Sequence, residues 1–253
     1  MRKKPIIAID GFTSSGKTTT SRELAKRLDF KHINTGAIYR VVARVMLDKG
    51  VSETCEDEII KIAESVNIDF EIKNGKSIVL VDGKDWMSRI YTPEIVSFTS
   101  KIAIIKSLRE VLIPLQRKLG SDGGIVMEGR DIASVIFPDA EWKFFITAAF
   151  EVRVKRMKKL YSSKGIRLAK DEYEKKLREI DFKDTTRSVA PLIQTEDAIY
   201  YDNSNSPSEH QDAIILEYYI NNCSEIIRNS KRLEKMADNN ITTSYSNRST
   251  LTK

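Results

Sequence analysis

The chain has 253 residues, 41% of them hydrophobic, and its 42 Lys and Arg against 36 Asp and Glu give a formal net charge of +6. This length supports one large domain, or a core with insertions, around a substantial hydrophobic core. No apolar run approaches the roughly 18 residues of a membrane span, and no signal-peptide apolar region precedes the first strand. Two distant cysteines and two histidines argue against a disulfide framework and a His-rich metal site. We therefore expect a cytoplasmic protein with no membrane partner.

The first element is an apolar segment at 5–10, which has the pattern of a buried strand. Gly11 to Thr18 then reads G-x-x-x-x-G-K-T, the P-loop pattern, in which backbone N–H groups surround phosphate oxygens. Lys17 supplies charge for the β- and γ-phosphates, and the Thr18 hydroxyl can bind Mg²⁺. Residues 21–28 continue as an amphipathic helix whose N-terminus faces the anion. The pattern predicts a nucleoside triphosphate site rather than a simple glycine turn.

The middle of the chain changes its hydrophobic period. The sequence first predicts a strand at 30–34 and helices at 37–49 and 56–66. Residues 68–72 then alternate apolar and polar side chains, Asn74-Gly75 is a hairpin-turn sequence, and an apolar run returns at 78–81. These features predict a small antiparallel insertion at about 67–92, followed by helices through residue 119.

The second half of the chain predicts three strands, at 124–128, 141–148 and 198–202, and helices at 150–160 and 207–228. The polar residues 229–253 predict a disordered tail. Strands that alternate with helices indicate a parallel sheet with ligands at the carboxyl ends of its strands. The predicted fold class is therefore α/β: a three-layer P-loop NTPase fold with a central parallel sheet, a small antiparallel insertion and a helical lid.

Positive charge concentrates in two segments. Residues 153–187 carry thirteen Lys and Arg against six Asp and Glu, and residues 228–253 carry six against two. Beside a P-loop, such a segment is more typical of contacts with small nucleotides than with a polymer. The sequence has no nucleic-acid motif with interleaved aromatic residues. We therefore expect a basic lid over nucleotides and no nucleic-acid partner.

Three further groups of residues are candidates for binding an acceptor. Arg40 stands at a helix start beside the loop and can receive a monophosphate; read alone, it is equally well a solvated surface arginine. Arg130 and Asp131 follow a predicted buried strand, where a surface ion pair is the alternative. Asp184 and Arg187 lie three residues apart in the basic segment, where they form either an ordinary helical ion pair or part of a closing lid.

The segments GFTSSGKT, NTGAIYR, EGRDIASVIFPDA and RSVAPL, in this order and at these separations, resemble bacterial-type cytidylate kinases. The resemblance spans about residues 4–227. It implies transfer of the γ-phosphoryl group of ATP to CMP or dCMP with Mg²⁺, in a monomer. It also implies a kinase domain at 1–228, with a core at 1–35, 120–152 and 188–228, a CMP-binding region at 36–119 that contains the insertion, and a lid at 153–187.

The same resemblance implies the site residues. ATP would contact Gly11, Phe12, Thr13, Ser14, Ser15, Gly16, Lys17, Thr18 and Thr19, with Arg153 and Arg156 near the bound nucleotide. CMP would contact Thr35, Tyr39, Arg40, Ser100, Arg109, Arg130, Asp131, Asp184 and Arg187. Within the second set, Arg40 and Arg130 would hold the phosphate, whereas Ser100, Arg109 and Asp131 would read cytosine. Catalysis would rest on Lys17, Arg130, Asp131 and Arg187.

The sequence departs from the family pattern in the loop and in the lid. Ser14 stands where glycine is usual, and a positive φ there would strain the backbone by about 1–3 kcal/mol. Ile180 stands where the first lid arginine is expected, and Arg178 is a candidate substitute. Lys183 and Thr185 occupy other lid positions that are often basic.

Two alternatives stay open at this point. A kinase for another small acceptor, such as UMP or AMP, would share the loop and lid, although Ser100 and Asp131 favour cytosine. A regulatory NTP-binding protein with weak or no CMP kinase activity would be consistent with the missing lid arginine. Against that reading, the sequence has neither an N-K-x-D motif nor a strand that ends in the Asp-Glu pair of motor ATPases.

Overall fold

The structure is a computed structural model that describes residues 4–73, 76–163, 165–208 and 210–222. Its strands are β1 (Ile6–Gly11), β2 (Lys31–Asn34), β3 (Ile68–Lys73), β4 (Lys76–Val81), β5 (Lys84–Asp85), β6 (Ile125–Gly129), β7 (Trp142–Thr147) and β8 (Ile199–Asp202). Its helices are α1 (Lys17–Leu28), α2 (Thr35–Asp48), α3 (Glu56–Ser65), α4 (Met87–Ile90), α5 (Pro93–Ile102), α6 (Lys106–Leu119), α7 (Phe150–Ser162) and α8 (Lys170–Thr186). The chain divides into two compact units, 1–213 and 214–253. In the second unit, the described residues 214–222 are helical.

Five parallel strands form the central sheet, in the order β2-β6-β1-β7-β8. β1, β6 and β7 are buried along their whole lengths, which explains their nearly continuous apolar sequences. The register pairs Asn34 with Glu128, and Asp10 with Gly129. The carboxyl ends of three neighbouring strands therefore meet at one edge, and the predicted parallel sheet is confirmed.

The predicted insertion is also confirmed as an antiparallel sheet of β3, β4 and β5. Its buried side chains Ile68, Phe70, Val79 and Val81 belong to the same hydrophobic cluster as the inner faces of α2 and α3. The Ser77 hydroxyl donates a hydrogen bond of 2.5 Å to the backbone carbonyl of residue 32 in β2. The insertion is thus fixed against the strand that precedes the acceptor candidate Arg40, while the predicted turn Asn74-Gly75 lies outside the described residues.

The basic segment folds as a pair of helices, α7 and α8, with a small hydrophobic cluster of its own. Val154 and Met157 of α7 pack with Tyr173 and Leu177 of α8, and Tyr173 is only 1% exposed. The prediction that Asp184 and Arg187 both lie on one helix is wrong, because α8 ends at Thr186. Arg187 lies just beyond α8 with φ −61° and ψ 145°, although its side chain still lies 3.5 Å from Asp184.

The structure adds one element that the sequence did not predict, and it describes only part of the predicted last helix. A single π-helical turn, Ile132–Ile136, follows β6, and the Asp10 carboxylate accepts hydrogen bonds from the backbone N–H groups of Ile132 and Ala133 at its start. The predicted last helix is seen at 210–222, and the remainder of that prediction and the predicted tail lie outside the described residues. No helix in the described part of the chain is long and apolar enough to cross a membrane.

Candidate active site

The phosphate-loop motif forms a tight turn between β1 and α1. Gly11 needs to be glycine, because a Cβ atom there would lie 1.9 Å from the backbone oxygen of Ile146 in β7. Gly16 has φ 94° and caps the N-terminus of α1. Ser14 has φ 59°, so the positive φ considered for this position is observed. A left-handed serine costs about 1–2 kcal/mol, which the loop retains as strain.

Lys17 is 6% exposed, and its Nζ donates to the backbone oxygen of Phe12 at 2.8 Å. Burial, assisted by the neighbouring charge of Arg130, lowers the pKa of Lys17 to about 7. The pKa of Lys17 therefore lies near neutral pH, inside a loop of phosphate-binding geometry. An anion in the loop would favour its charged form.

Glu128, at the end of β6, joins the P-loop to β2. Its carboxylate accepts hydrogen bonds from the Thr18 hydroxyl at 2.9 Å and from the Asn34 amide at 2.7 Å, and His32 Nε2 lies 3.2 Å from it. Burial alone would raise the pKa of Glu128, but the contacts with His32, Lys17 and Thr18 hold it below its ordinary value. The sequence analysis did not select Glu128 as a site residue, and 96 residues separate it from its partner His32. The one feature of the sequence that could have identified Glu128 is an acidic residue at the end of a predicted buried strand.

Two arginines connect the lid to the P-loop. Arg130 donates to Asp184 of α8 at 2.7 Å and to the Thr13 hydroxyl at 2.8 Å. Arg153 donates to Asp181 of α8 at 2.7 Å, and its NH1 group lies 3.4 Å from the backbone oxygen of Thr13. Arg130, predicted to hold the acceptor phosphate, and Arg153, predicted to lie near bound ATP, thus both pair with lid carboxylates.

A second buried ion cluster surrounds Asp131. Arg109 donates to Asp131 at 2.6 Å, and Arg187 lies 3.8 Å from the same carboxylate. The Arg109 guanidinium also lies 5.4 Å from the centroid of the Tyr39 ring. The structure therefore brings Tyr39, Arg109, Asp131 and Arg187 together. The hydroxyl of Ser100 donates to the backbone oxygen of Ser97 in its own helix.

A cavity of about 1060 Å³ connects the P-loop to Arg40 and Arg130. Its lining includes these predicted site residues: Thr13, Ser14, Ser15, Gly16, Lys17, Thr18, Thr19, Arg40, Arg130 and Arg156. Glu128 and Asn34 line it as well. Thr35, predicted to line the acceptor site, is buried behind the cavity and donates its hydroxyl to the backbone oxygen of Glu128. Arg40 donates to Asn34 and Tyr91, so its guanidinium is held at the cavity wall.

Helices α7 and α8 show where the lid residues that depart from the family pattern lie. Ile180 packs against the hydrophobic cluster of the lid. The Arg178 guanidinium lies 4.2 Å from the centroid of the partly buried Phe150 ring, and Arg178 is not among the described residues that line the cavity. Lys159 and Lys176 line the cavity instead. The lid therefore presents lysines to the cavity.

Known proteins are similar to this chain along most of its length. The sequence profile described as cytidylate kinase matches residues 7–221. The cytidylate kinase of Thermotoga sp. (strain RQ2) is 41% identical over 204 residues, which are 80% of this chain and 91% of that protein. The cytidylate kinase of Parabacteroides distasonis is 37% identical over 222 residues, which are 86% of this chain and 97% of that protein.

Among solved structures, a shikimate kinase from Acinetobacter baumannii in complex with shikimate covers 87% of this chain and 96% of its own. It is 17% identical with a TM-score of 0.45, so this likeness does not bear on substrate choice. The extent of the profile match and the identity to curated relatives along most of both chains decide the family. The chain belongs to the cytidylate kinase family.

Proposed function

We propose that the chain transfers the γ-phosphoryl group of ATP to CMP or dCMP, giving ADP and CDP or dCDP. One observation carries this proposal: a single cavity joins a P-loop to the arginines Arg40 and Arg130. The loop suits the phosphates of a donor, and the two arginines suit the monophosphate of an acceptor. Phosphoryl transfer needs both groups in line, with their charge neutralised.

On the donor side, backbone N–H groups of the loop and the Lys17 ammonium would hold the phosphates of ATP. The guanidinium of Arg156 is fixed next to the loop by the backbone oxygen of Ser15 at 3.0 Å. No side chain needs to act as a strong base, because the acceptor phosphate is already a nucleophilic anion at neutral pH. The rate enhancement would come from alignment and from the cations around the transferred group.

On the acceptor side, Asp131 would accept a hydrogen bond from the exocyclic amine of cytosine. Uracil presents a carbonyl at that position, so two acceptors would face each other and UMP would bind poorly. In the structure Arg109 and Arg187 contact Asp131, which is 4% exposed. A base that reaches Asp131 would have to share this carboxylate with the two arginines, of which Arg187, at 3.8 Å, is the more distant. The role of Ser100 as a reader of cytosine stays a prediction.

The residues present fit a bound Mg²⁺. The Thr18 hydroxyl and the Glu128 carboxylate lie 2.9 Å apart at the cavity wall, and both are oxygen ligands of the kind that Mg²⁺ prefers. Among the described residues, no three His, Cys, Asp or Glu side chains cluster as a site made by protein alone. We propose that Thr18, with Glu128 beside it, holds the ion jointly with the nucleotide phosphates. Bound there, Mg²⁺ would neutralise phosphate charge.

Several sequence predictions belong to this proposal. The division into a core, a CMP-binding region at 36–119 and a lid at 153–187 agrees with the separate hydrophobic cluster of α7 and α8. A cytoplasmic monomer without a nucleic-acid partner also stays a prediction. Light scattering after size-exclusion chromatography checks the monomer.

The direct test is ADP formation from Mg²⁺-ATP with CMP, dCMP, UMP, AMP or no acceptor. We expect strong turnover with CMP and dCMP and much less with UMP and AMP. Hydrolysis of ATP without an acceptor, or ATP binding without turnover of CMP, would contradict the proposal and favour an NTP-binding regulator.

A further inference from the structure

A buried polar network lies behind the P-loop, and its two central residues are outside every motif of the family resemblance. Its centre is Asp212, which is fully buried, and Asn203 beside it is 1% exposed. Three uncharged groups donate to the Asp212 carboxylate: the Tyr201 hydroxyl at 2.8 Å, the Asn203 amide at 3.2 Å and the Thr20 hydroxyl at 3.4 Å. A carboxylate at this depth depends on its donors, so it constrains where they point.

The Asp212 carboxylate is one of three partners that agree on the orientation of the Asn203 amide. An ionised aspartate only accepts hydrogen bonds, so the NH₂ group of Asn203, and not its oxygen, has to face Asp212. The same NH₂ group donates to the backbone oxygen of Ser15 at 2.8 Å. The amide oxygen of Asn203 is then turned toward Arg156 and accepts from its NH1 group at 2.9 Å.

The Arg156 guanidinium is held by three hydrogen bonds. Its NH1 group donates to Asn203 Oδ1 and, at 3.0 Å, to the backbone oxygen of Ser15, and its NH2 group lies 3.2 Å from the backbone oxygen of Asn203. These contacts use three of the five guanidinium N–H groups and leave two for the cavity that Arg156 lines. The plane and position of the guanidinium are therefore set jointly by Asn203 and the backbone oxygen of Ser15.

We propose that Asn203 and Asp212 are positioning residues of the donor-nucleotide site. Asp212 orients Asn203, and Asn203 holds both the Ser15 carbonyl of the P-loop and the Arg156 guanidinium in the geometry that bound ATP needs. The inference rests on the proposed donor site, but not on the identity of the acceptor.

The first test is the substitution Asp212→Asn. It keeps the side-chain volume but replaces one carboxylate oxygen, which now accepts a hydrogen bond, with an NH₂ group that can only donate. We expect Kd for Mg²⁺-ATP, measured by calorimetry without an acceptor, to rise about tenfold or more, since hydrogen bonds that involve charged groups are the strong ones. KM for ATP rises in parallel, whereas KM for CMP changes less than about twofold. Tyr201→Phe removes one donor and keeps the carboxylate, so it gives a smaller shift in the same direction.

The second test asks whether Asp212 acts through Asn203. If it does, the double variant Asn203→Ala with Asp212→Asn binds ATP within about twofold of Asn203→Ala alone, because residues that act as one unit are not additive. Independent effects that multiply would overturn the proposal.

A control separates positioning from general destabilisation. Asp197→Asn breaks the ion pair of Asp197 with Lys143, outside the cavity lining, and should lower Tm without changing Kd for ATP. If Asp212→Asn and Tyr201→Phe likewise lower Tm and leave ATP binding unchanged, the network is structural only and the proposal fails. Because ATP binding is measured without an acceptor, a failure of the CMP kinase proposal would appear separately, in the acceptor panel.

Discussion

At the scale of single residues, Lys17 couples phosphate binding to a proton. Its pKa of about 7 means that most of the lysine is neutral at pH 8 in the free protein. Bound phosphates favour the ammonium form, so ATP binding at pH 8 should take up close to one proton, and binding at pH 6 should take up almost none. Calorimetric titrations in buffers of different ionisation enthalpy measure this uptake.

The matched variant is Lys17→Ala, which should abolish turnover and remove the proton uptake at pH 8 while the far-UV circular dichroism stays unchanged. An undiminished uptake in this variant would assign the proton to another group. Unchanged kinetics would remove the loop lysine from the mechanism.

Asp131 tests how cytosine is recognised. Replacement by alanine would leave Arg109 buried without its carboxylate, at a cost of about 3–5 kcal/mol. Asp131→Asn keeps the shape and lets the side chain donate to the carbonyl of uracil. We expect the ratio of kcat/KM for CMP over UMP to fall about tenfold or more.

Arg40→Ala is the control for this specificity test, because a phosphate contact is common to both substrates. It should weaken CMP and UMP equally and leave their ratio unchanged. A ratio that stays constant in Asp131→Asn would show that cytosine is read elsewhere, for example at Ser100.

At the scale of elements, the lid helices decide which cations face the bound nucleotides. Lys176 lines the cavity, while Arg178, two residues further along α8, stacks on Phe150. We expect Lys176→Ala to lower kcat/KM for ATP by about tenfold to a hundredfold, since a charge-assisted contact is worth about 1.5–3 kcal/mol.

Arg178→Ala on the same helix is the matched control and should change kcat/KM less than about twofold. The reverse result, with Arg178 the sensitive position, would mean that α8 rotates when the lid closes. Steady-state kinetics with varied ATP at saturating CMP distinguish the two outcomes.

At the scale of the whole molecule, Asp10 links folding to pH. Burial raises its pKa to about 6, against which its hydrogen bonds from Ala133 and Ile132 act. A group with a raised folded-state pKa stabilises the fold fully below its unfolded value of 3.8, and this stabilisation is lost as pH rises through about 6. The change amounts to about 3 kcal/mol at 1.36 kcal/mol for each pH unit.

Asp10→Asn removes this dependence. Urea unfolding between pH 4.5 and 7.5 should therefore show the wild-type free energy of unfolding falling, relative to that of the variant, as pH rises. Parallel curves for the two proteins would show that Asp10 does not bind its proton more tightly in the folded state.

The sequence by itself determined the α/β class, the P-loop, the antiparallel insertion and the family. These follow from local features: apolar runs of strand length, the alternation at 68–72, and a glycine pattern whose backbone geometry is needed wherever phosphate is bound. The strain at Ser14 was also predictable, because the P-loop pattern carries its own backbone geometry, in which glycine is usual at that position.

Only the tertiary structure decided which charges meet. Glu128 and His32 are 96 residues apart in sequence, and Asn203 lies 188 residues from Ser15, so no spacing rule connects them. Arg178 and Lys176 are both basic residues of one helix, and only the packing of α7 on α8 turns one toward Phe150 and the other toward the cavity. The physical reason is the same in each case: the partners of a buried charge are chosen by the geometry of the sheet edge and of helix packing, which the linear order of residues does not contain.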